Sequence, residues 1–319
     1  MVLNAVIFLI GLGVLYVGAE WLIHGASRMA LHYGIRPLIV GLTIVALGTS
    51  LPEFFINFFA VFTGEHDLAL GNIIGSNICN IALILGACSV IFPLSVQPQM
   101  LRKEYPMMMG TMVLFYLIAL DGRISRWDGL LLVTVLLGVM TFLFVDAKRN
   151  PHSPAMVEDP DTDDEVEDGA ARGTFFSVIG GMIGLAVGAR MMIHGAVEIA
   201  DTMQISHAVI GLTIVAIGTS LPELAASLVG TMQKESDLSV GNVMGSNLLN
   251  VLFVVGFVAL ISPMDVAAPS ISLHFPVMIA FSALFLPLAW THHQITRVEG
   301  GVLLVGFVSY MTYLVFPYI

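Results

Sequence analysis

Gly41–Glu53 reads GLTIVALGTSLPE, and Gly211–Glu223 reads GLTIVAIGTSLPE. Twelve of the thirteen positions agree, at an offset of 170 residues. The same offset aligns LALGNIIGSNICN, Leu68 to Asn80, with LSVGNVMGSNLLN, Leu238 to Asn250. It also pairs Asp67 with Asp237, His24 with His194 and Gly86 with Gly256. Chance does not hold one offset over so long a stretch, so the chain is written twice.

The duplicated stretches lie in an apolar chain. Of 319 residues, 57% are apolar and 11% charged, whereas a soluble domain carries about 25% charged residues. Stretches able to cross a bilayer, roughly 20 residues each, recur along the whole length. Ten are read, at 4–24, 37–62, 69–92, 104–120, 127–145, 174–196, 208–232, 239–262, 273–290 and 299–317. The first lacks a positive leader and a cleavage site and is read as a retained span. Five spans fall in each copy, which divides the chain into halves 1–146 and 174–319 joined by segment 147–173. An odd number of spans forces the second copy into the membrane upside down. That is the inverted-topology repeat of secondary transporters, whose ion sites sit at the repeat interface near mid-membrane.

The net charge of −11 is concentrated, with eight acidic residues between Glu158 and Asp168. Pro-rich and poor in apolar residues, this stretch reads as a disordered linker. Asp159, Asp161 and Asp163 imitate the start of an EF-hand loop, but Asp164 stands where Gly is needed and Ala170 where the bidentate Glu belongs, so a weak Ca2+-sensing role is only the alternative to a solvated linker. No basic patch suggests a nucleic acid. With the loops numbered alternately, Arg28, Arg36, Arg102, Lys103, Lys148, Arg149, Arg172, Lys234 and Arg297 fall on one side, and only Arg123 and Arg126 on the other. The positive-inside rule makes the first side cytoplasmic, with both termini outside. Arg190 lies late in the sixth span, within snorkelling reach of the outer interface. Cys79 and Cys88 share the third span and read as small packing residues. His24 and His194, related by the repeat, sit near span ends; they read as interfacial, with a proton role the alternative.

Glu53 and Glu223 lie inside apolar spans, with no Lys or Arg in the neighbouring turns of spans two, three, seven or eight. A carboxylate at mid-membrane costs roughly 2.5–3.5 kcal/mol on insertion scales, so it faces a cavity or a partner. Two carboxylates without a protein cation invite a mobile one; a protonated, hydrogen-bonded structural Glu is the lesser alternative, repeated as it would have to be at both symmetric positions. Pro52 and Pro222 precede them and disturb the carbonyls of Gly48 and Gly218, four residues back. Spans two and seven are therefore expected to be broken helices, whose freed carbonyls are tolerated at this depth only beside a cavity. Ala46, Thr49, Ser50 and Glu53 fall on adjoining helix faces, as do Ala216, Thr219, Ser220 and Glu223. Asn72, Ser76 and Asn80 line one face of span three, and Asn242, Ser246 and Asn250 repeat it in span eight. Asn72, Asn242, Asn77 and Asn247 read first as interhelical glue; Ser76, Asn80, Ser246 and Asn250 lie nearer the glutamates. The donors are all oxygen, without thiolate or adjacent histidine. That selects a hard cation such as Ca2+, which takes roughly six to eight oxygens, or Na+, over zinc or copper.

GTSLPE followed by GNIIGSN, with GNVMGSN in the second copy, resembles the paired alpha-repeats of the sodium/calcium exchanger family in the cation/Ca2+ exchanger superfamily. The resemblance covers nearly the whole chain and is nearest to the short prokaryotic calcium/sodium antiporters, which lack a regulatory cytoplasmic domain. It implies an all-α membrane protein of ten transmembrane helices in two inverted-topology five-helix repeats, with broken helices 2 and 7. It implies exchange of Ca2+ for Na+ in a prokaryotic plasma membrane, with no cofactor. Motif by motif, it places the ions among Ala46, Thr49, Ser50, Glu53, Ser76, Asn80, Ala216, Thr219, Ser220, Glu223, Ser246 and Asn250. It further implies that spans one and six slide across this core on Gly11, Gly18, Gly180, Gly184 and Gly188. Several exchangers have Asp where this chain has Asn250, so here the site carries two formal negative charges. Proton-coupled Ca2+ antiport through the same glutamates and a cation channel are the competing functions. An enzyme is disfavoured, since the chain has no nucleotide loop and no nucleophile-plus-base set.

Overall fold

The computed structural model describes residues 1–149, 168–204, 210, 213, 214 and 216–316, the side chains of 168–172 and 216 excepted. The greater part of the acidic linker, with Asp159, Asp161, Asp163 and Asp164, therefore lies outside the described residues, as does the start of span seven. In chain order the helices are α1 (Val2–Tyr33), α2 (Pro37–Phe62), α3 (His66–Ile91), α4 (Glu104–Ala119), α5 (Arg126–Arg149), α6 (Asp168–Thr202), α7 (Leu221–Met232), α8 (Ser236–Ile261), α9 (Ser270–Trp290) and α10 (Arg297–Val315). Among the described residues, eight helices are long and apolar enough to cross a membrane; α4 and α7 are the shorter ones.

Burial separates the layers. In α3 and α8, 78% of the apolar window is buried, against 22% in α1 and α10. The two repeat-related helices α3 and α8 form the centre, and the lipid-exposed helices surround them. Their outward side chains, such as Phe59, Leu137, Ile183 and Val305, are large and apolar. In water such a surface would be untenable; in lipid it is solvated. The chain is a polytopic α-helical membrane protein.

Two short antiparallel clasps tie the halves together. β1 (Leu94–Ser95) pairs with β4 (Gln294–Ile295), and β2 (Arg123–Ile124) pairs with β3 (Met264–Asp265). Leu94 and Met264 are related by the offset of 170, as are Ile124 and Gln294. Equivalent strands thus sit in different clasps. One clasp follows α3 and the other follows α4, so a single span separates them. The halves are therefore inverted with respect to one another.

Helices α1 and α6 pack antiparallel along a glycine seam. A methyl group on Gly18 would sit 2.6 Å from the Leu185 amide nitrogen; on Gly181, 2.5 Å from that of Leu22; on Gly188, 2.5 Å from that of Leu15. Gly11, Gly25 and Gly195 are equally crowded. Gly11, Gly18 and Gly25 recur every seven residues and are repeat-equivalent to Gly181, Gly188 and Gly195. Close backbone approach is how small residues hold membrane helices together. Of the glycines expected here, Gly184 packs on the Gly18 Cα, while Gly180 faces the Trp21 ring and its neighbour Gly181 occupies the seam.

One buried charge cluster belongs to the first half alone. Arg36, 5% exposed, lies 3.0 Å from Glu104 and 2.8 Å from Asp146, and Lys103 reaches Asp146 at 2.6 Å. It ties the start of α2 to the start of α4 and the end of α5, which places these three ends on one face. The positions equivalent to Glu104 and Asp146 are His274 and Phe316, so the second half has no matching acidic pair.

Candidate functional site

Helix α2 is deformed rather than severed. A π-helical turn, Gly41–Val45, precedes Ala46, and the α-helix then runs from Ala46 to Phe62 through Pro52. Proline lacks the amide that would serve the Gly48 carbonyl. In the second half the helix is interrupted outright: Ala216–Thr219 is one helical turn, Ser220 leaves helical geometry at φ −87°, ψ 7°, and α7 restarts at Leu221. Glu53 and Glu223 sit just past these distortions, 0% and 1% exposed.

Helices α3 and α8 each open into a π-helical turn at the same place. Asn80 begins Asn80–Leu85, and Asn250 begins Asn250–Val255. The extra residue in a π turn re-aims the side chain at its start and recurs at functional positions. Nothing in the hydrophobic pattern announces it. Asn80, Asn250, Ser76 and Ser246 are all buried.

Side chains from the two halves meet here in near-symmetric pairs. Thr49 Oγ1 donates to Asn242 Oδ1 at 3.1 Å, and its repeat equivalent Thr219 Oγ1 donates to Asn72 Oδ1 at 3.0 Å. Thr49 Oγ1 also lies 3.2 Å from the Ala46 carbonyl and 3.4 Å from Ser246 Oγ. Ser50 Oγ donates to Glu223 Oε1 at 3.1 Å, so a first-half hydroxyl touches the second-half carboxylate. Two buried residues that the sequence did not single out brace the backbone and the stripe. Asn57 Nδ2 donates to the Glu53 carbonyl at 2.6 Å, and Ser227 Oγ accepts from Asn242 Nδ2 at 2.9 Å. Both stand one helical turn beyond a glutamate, the only signal that could have found them.

The electrostatic character follows from what these groups lack. Glu53 Oε1 and Oε2, Glu223 Oε2, Asn80 Oδ1, Asn250 Oδ1, Ser76 Oγ and Ser220 Oγ are buried oxygens without a hydrogen-bond partner among the described residues. Buried polar atoms are otherwise almost always paired. These seven belong to the helices that carry the two glutamates and to α3 and α8; the other unpaired buried side-chain atoms among the described residues are Arg36 Nε and Nη1 and Glu104 Oε2 of the charge cluster, Asn57 Oδ1, Asn72 Nδ2 and Ser282 Oγ. None of the seven belongs to a Lys or Arg, and among the described residues no three of His, Cys, Asp and Glu cluster as a conventional metal site. Oxygens of this kind, two carboxylates among them, suit a hard cation as cargo. Eleven of the twelve site positions read from the sequence have described side chains; that of Ala216 lies outside them.

An inverted-repeat helical membrane protein with paired acidic, oxygen-lined helix distortions at its centre is built as secondary transporters are built. Comparison agrees with that class: the family profile described as "Sodium/calcium exchanger protein" matches residues 3–145 and 173–316. The chain belongs to the sodium/calcium exchanger family. It is 37% identical to the putative antiporter CaxA of Alkalimonas amylolytica, over 99% of each chain. With the inner membrane protein YrbG of Escherichia coli it shares 36% identity, over 96% of this chain and 94% of YrbG. Among solved structures it resembles the sodium-calcium exchanger NCX_Mj soaked with Na+ and Ca2+, with a TM-score of 0.84 and 29% identity over 98% of both chains.

Proposed function

We propose that the chain is a secondary active antiporter that exchanges Ca2+ for Na+ by alternating access, with Glu53 and Glu223 as the charged ligands. The observation that carries this reading is the set of unpaired buried oxygens around two carboxylates that no protein cation neutralises. Ala46, Thr49, Ser50, Ser76, Asn80, Ala216, Thr219, Ser220, Ser246 and Asn250 complete the ligand set. With both glutamates ionised the site carries two negative charges, which one Ca2+ or two Na+ balance. A third Na+ would have to bind at the edge, on hydroxyls and carbonyls.

The halves, 1–146 and 174–319, act as the two moving parts, and segment 147–173 only joins them. Support for alternation comes from an asymmetry between equivalent positions. Leu238 at the start of α8 is 0% exposed, whereas its equivalent Leu68 at the start of α3 is 52% exposed. Gly241 packs on the Leu38 carbonyl, and Gly245 on that of Leu42. Around their equivalents Gly71 and Gly75, the described residues leave open space. The start of α2 is thus packed onto α8; residues 208 and 212, the repeat equivalents of Leu38 and Leu42, lie outside the described residues. Exchanging such a difference between the halves would move access to the site from one side of the membrane to the other. In the proposed orientation, both termini and the start of α3 lie outside, in a prokaryotic plasma membrane.

Reconstitution of the purified chain in proteoliposomes tests the reading. An outward Na+ gradient should drive 45Ca2+ uptake, and an outward proton gradient should not. Proton coupling is the competing outcome. The observation that favours it is Asn250, since two protons balance a site with two carboxylates and no third. Ca2+ entry that follows its own gradient with neither ion would make the protein a channel.

A further inference from the structure

Asn77 and Asn247 belong to the repeated GSN triplets but not to the proposed ligand set. They are repeat equivalents, both 0% exposed, beneath the two asparagines that belong to it. Asn80 Nδ2 donates to Asn247 Oδ1 at 2.9 Å. Asn250 Nδ2 donates to Asn77 Oδ1 at 3.3 Å. Both bonds cross between the halves. In each case the amide nitrogen is engaged and the amide oxygen, Asn80 Oδ1 or Asn250 Oδ1, is left unpaired.

That division matters because the two ends of an amide are nearly the same size and opposite in effect. The oxygen carries negative partial charge and the NH2 group positive. A half-turn about the last side-chain torsion would replace a cation ligand by a cation repellent at almost no steric cost. Packing cannot prevent the turn; only a directional acceptor for the NH2 group can. Asn77 and Asn247 supply that acceptor, and their own orientation is set in turn. The Asn77 NH2 group lies against the sulfurs of Met112 and Met278, each at 3.7 Å. That of Asn247 donates to the Asn77 carbonyl at 3.4 Å and lies 3.9 Å from the Met108 sulfur. Met108 and Met278 are themselves repeat equivalents. A thioether is a weak acceptor and no donor, so a floor of methionines accepts the NH2 end of these amides and leaves their oxygens facing Asn80 and Asn250.

We propose that Asn77 and Asn247 are positioning residues that hold the amide of the opposite half's site asparagine with its oxygen toward the cation. The proposal rests on the reading of the site as a Ca2+ and Na+ site and adds what keeps its two neutral ligands correctly turned. It also accounts for the residue type at 250. A carboxylate there would set an acceptor against the Asn77 oxygen, whereas an amide gives it a donor.

The test compares the parent with Asn247→Leu, which keeps the volume and removes the acceptor, and with Asn247→Asp, which keeps the acceptor. Equilibrium Ca2+ binding by the purified full chain and Na+-driven 45Ca2+ uptake are measured together, each normalised to monodisperse protein. For Asn247→Leu, Kd and the KM for Ca2+ should rise in parallel by about tenfold, the size of one lost hydrogen bond to an ion ligand, with kcat changed far less. In Asn247→Asp the Kd should return to the parent value or below it. Should the Leu variant fail to fold, Asn247→Ala serves in its place with the same expectation. Folded protein with the parent's Kd in the Leu or Ala variant overturns the proposal, and so does equal weakening by Leu and Asp. If the parent binds Ca2+ with this dependence but shows no Na+-driven uptake, the transport reading fails and the positioning role stands.

Discussion

Glu53 carries a carboxylate with both oxygens unpaired in a wholly buried position. Retaining it costs free energy that a structural role would not justify. Glu53→Gln and Glu223→Gln are each expected to abolish Ca2+ flux while leaving an inserted, monodisperse protein. Either variant exchanging at near-parent rate, measured in proteoliposomes, would remove the glutamates from the mechanism. Protons compete with Ca2+ for the same carboxylates, so parent flux should fall as pH drops. Asn250→Asp adds a third such group. Protonated, it can donate to Asn77 as the amide does, and the variant should match the parent at low pH. Ionised, it adds a negative charge that holds Ca2+ longer and slows release, so the ratio of variant to parent flux should decline as pH rises. Superimposable pH profiles would mean that residue 250 does not face the ion.

At the scale of elements, different kinds of contact hold different helices. Along the α1–α6 seam the backbones touch, while Met182 and Ile193 of α6 turn their side chains onto Gly48 of α2 and Gly218 before α7. Gly18→Ala would drive a methyl group into the backbone of the facing helix, 2.6 Å from Leu185 N. Overpacking of this kind costs about 1–3 kcal/mol. Gly13, on the same helix, has nothing within 4 Å of an added methyl group. The thermal midpoint of Gly18→Ala should therefore drop while that of Gly13→Ala stays at the parent value. Equal midpoints would show that the seam yields. The Arg36 cluster pins the start of α2 to α4 and α5 through buried ion pairs.

At the scale of the whole molecule, two copies of nearly one sequence adopt different surroundings. Leu68 and Leu238 are the same residue in the same motif, yet one is exposed and the other sealed. Leu68→Cys is expected to react with a membrane-impermeant maleimide added outside, and Leu238→Cys to stay protected. The native Cys79 and Cys88 are buried and contribute no background. Protection of the cysteine at 68, or labelling only from the inside, would refute outer exposure at the start of α3.

Repetition and hydropathy alone determined that the chain is doubled, inverted and embedded in a membrane, because both are local properties that survive in one dimension. They also named the two carboxylates, because charge in a span is costly wherever the helix points. What they left open depends on where helices sit relative to one another. The π turns that aim Asn80 and Asn250 leave no mark in the hydrophobic pattern. The difference between a deformed α2 and an interrupted helix before α7 separates two segments that differ at one position in thirteen, Leu47 against Ile217. The exchange of amide bonds between Asn77, Asn80, Asn247 and Asn250 exists only once α3 and α8 cross, since each bond joins residues about 170 apart in the chain. Sequence offers each asparagine two equivalent ends; only the tertiary structure, by placing an acceptor on one side, decides which end is left for the cation.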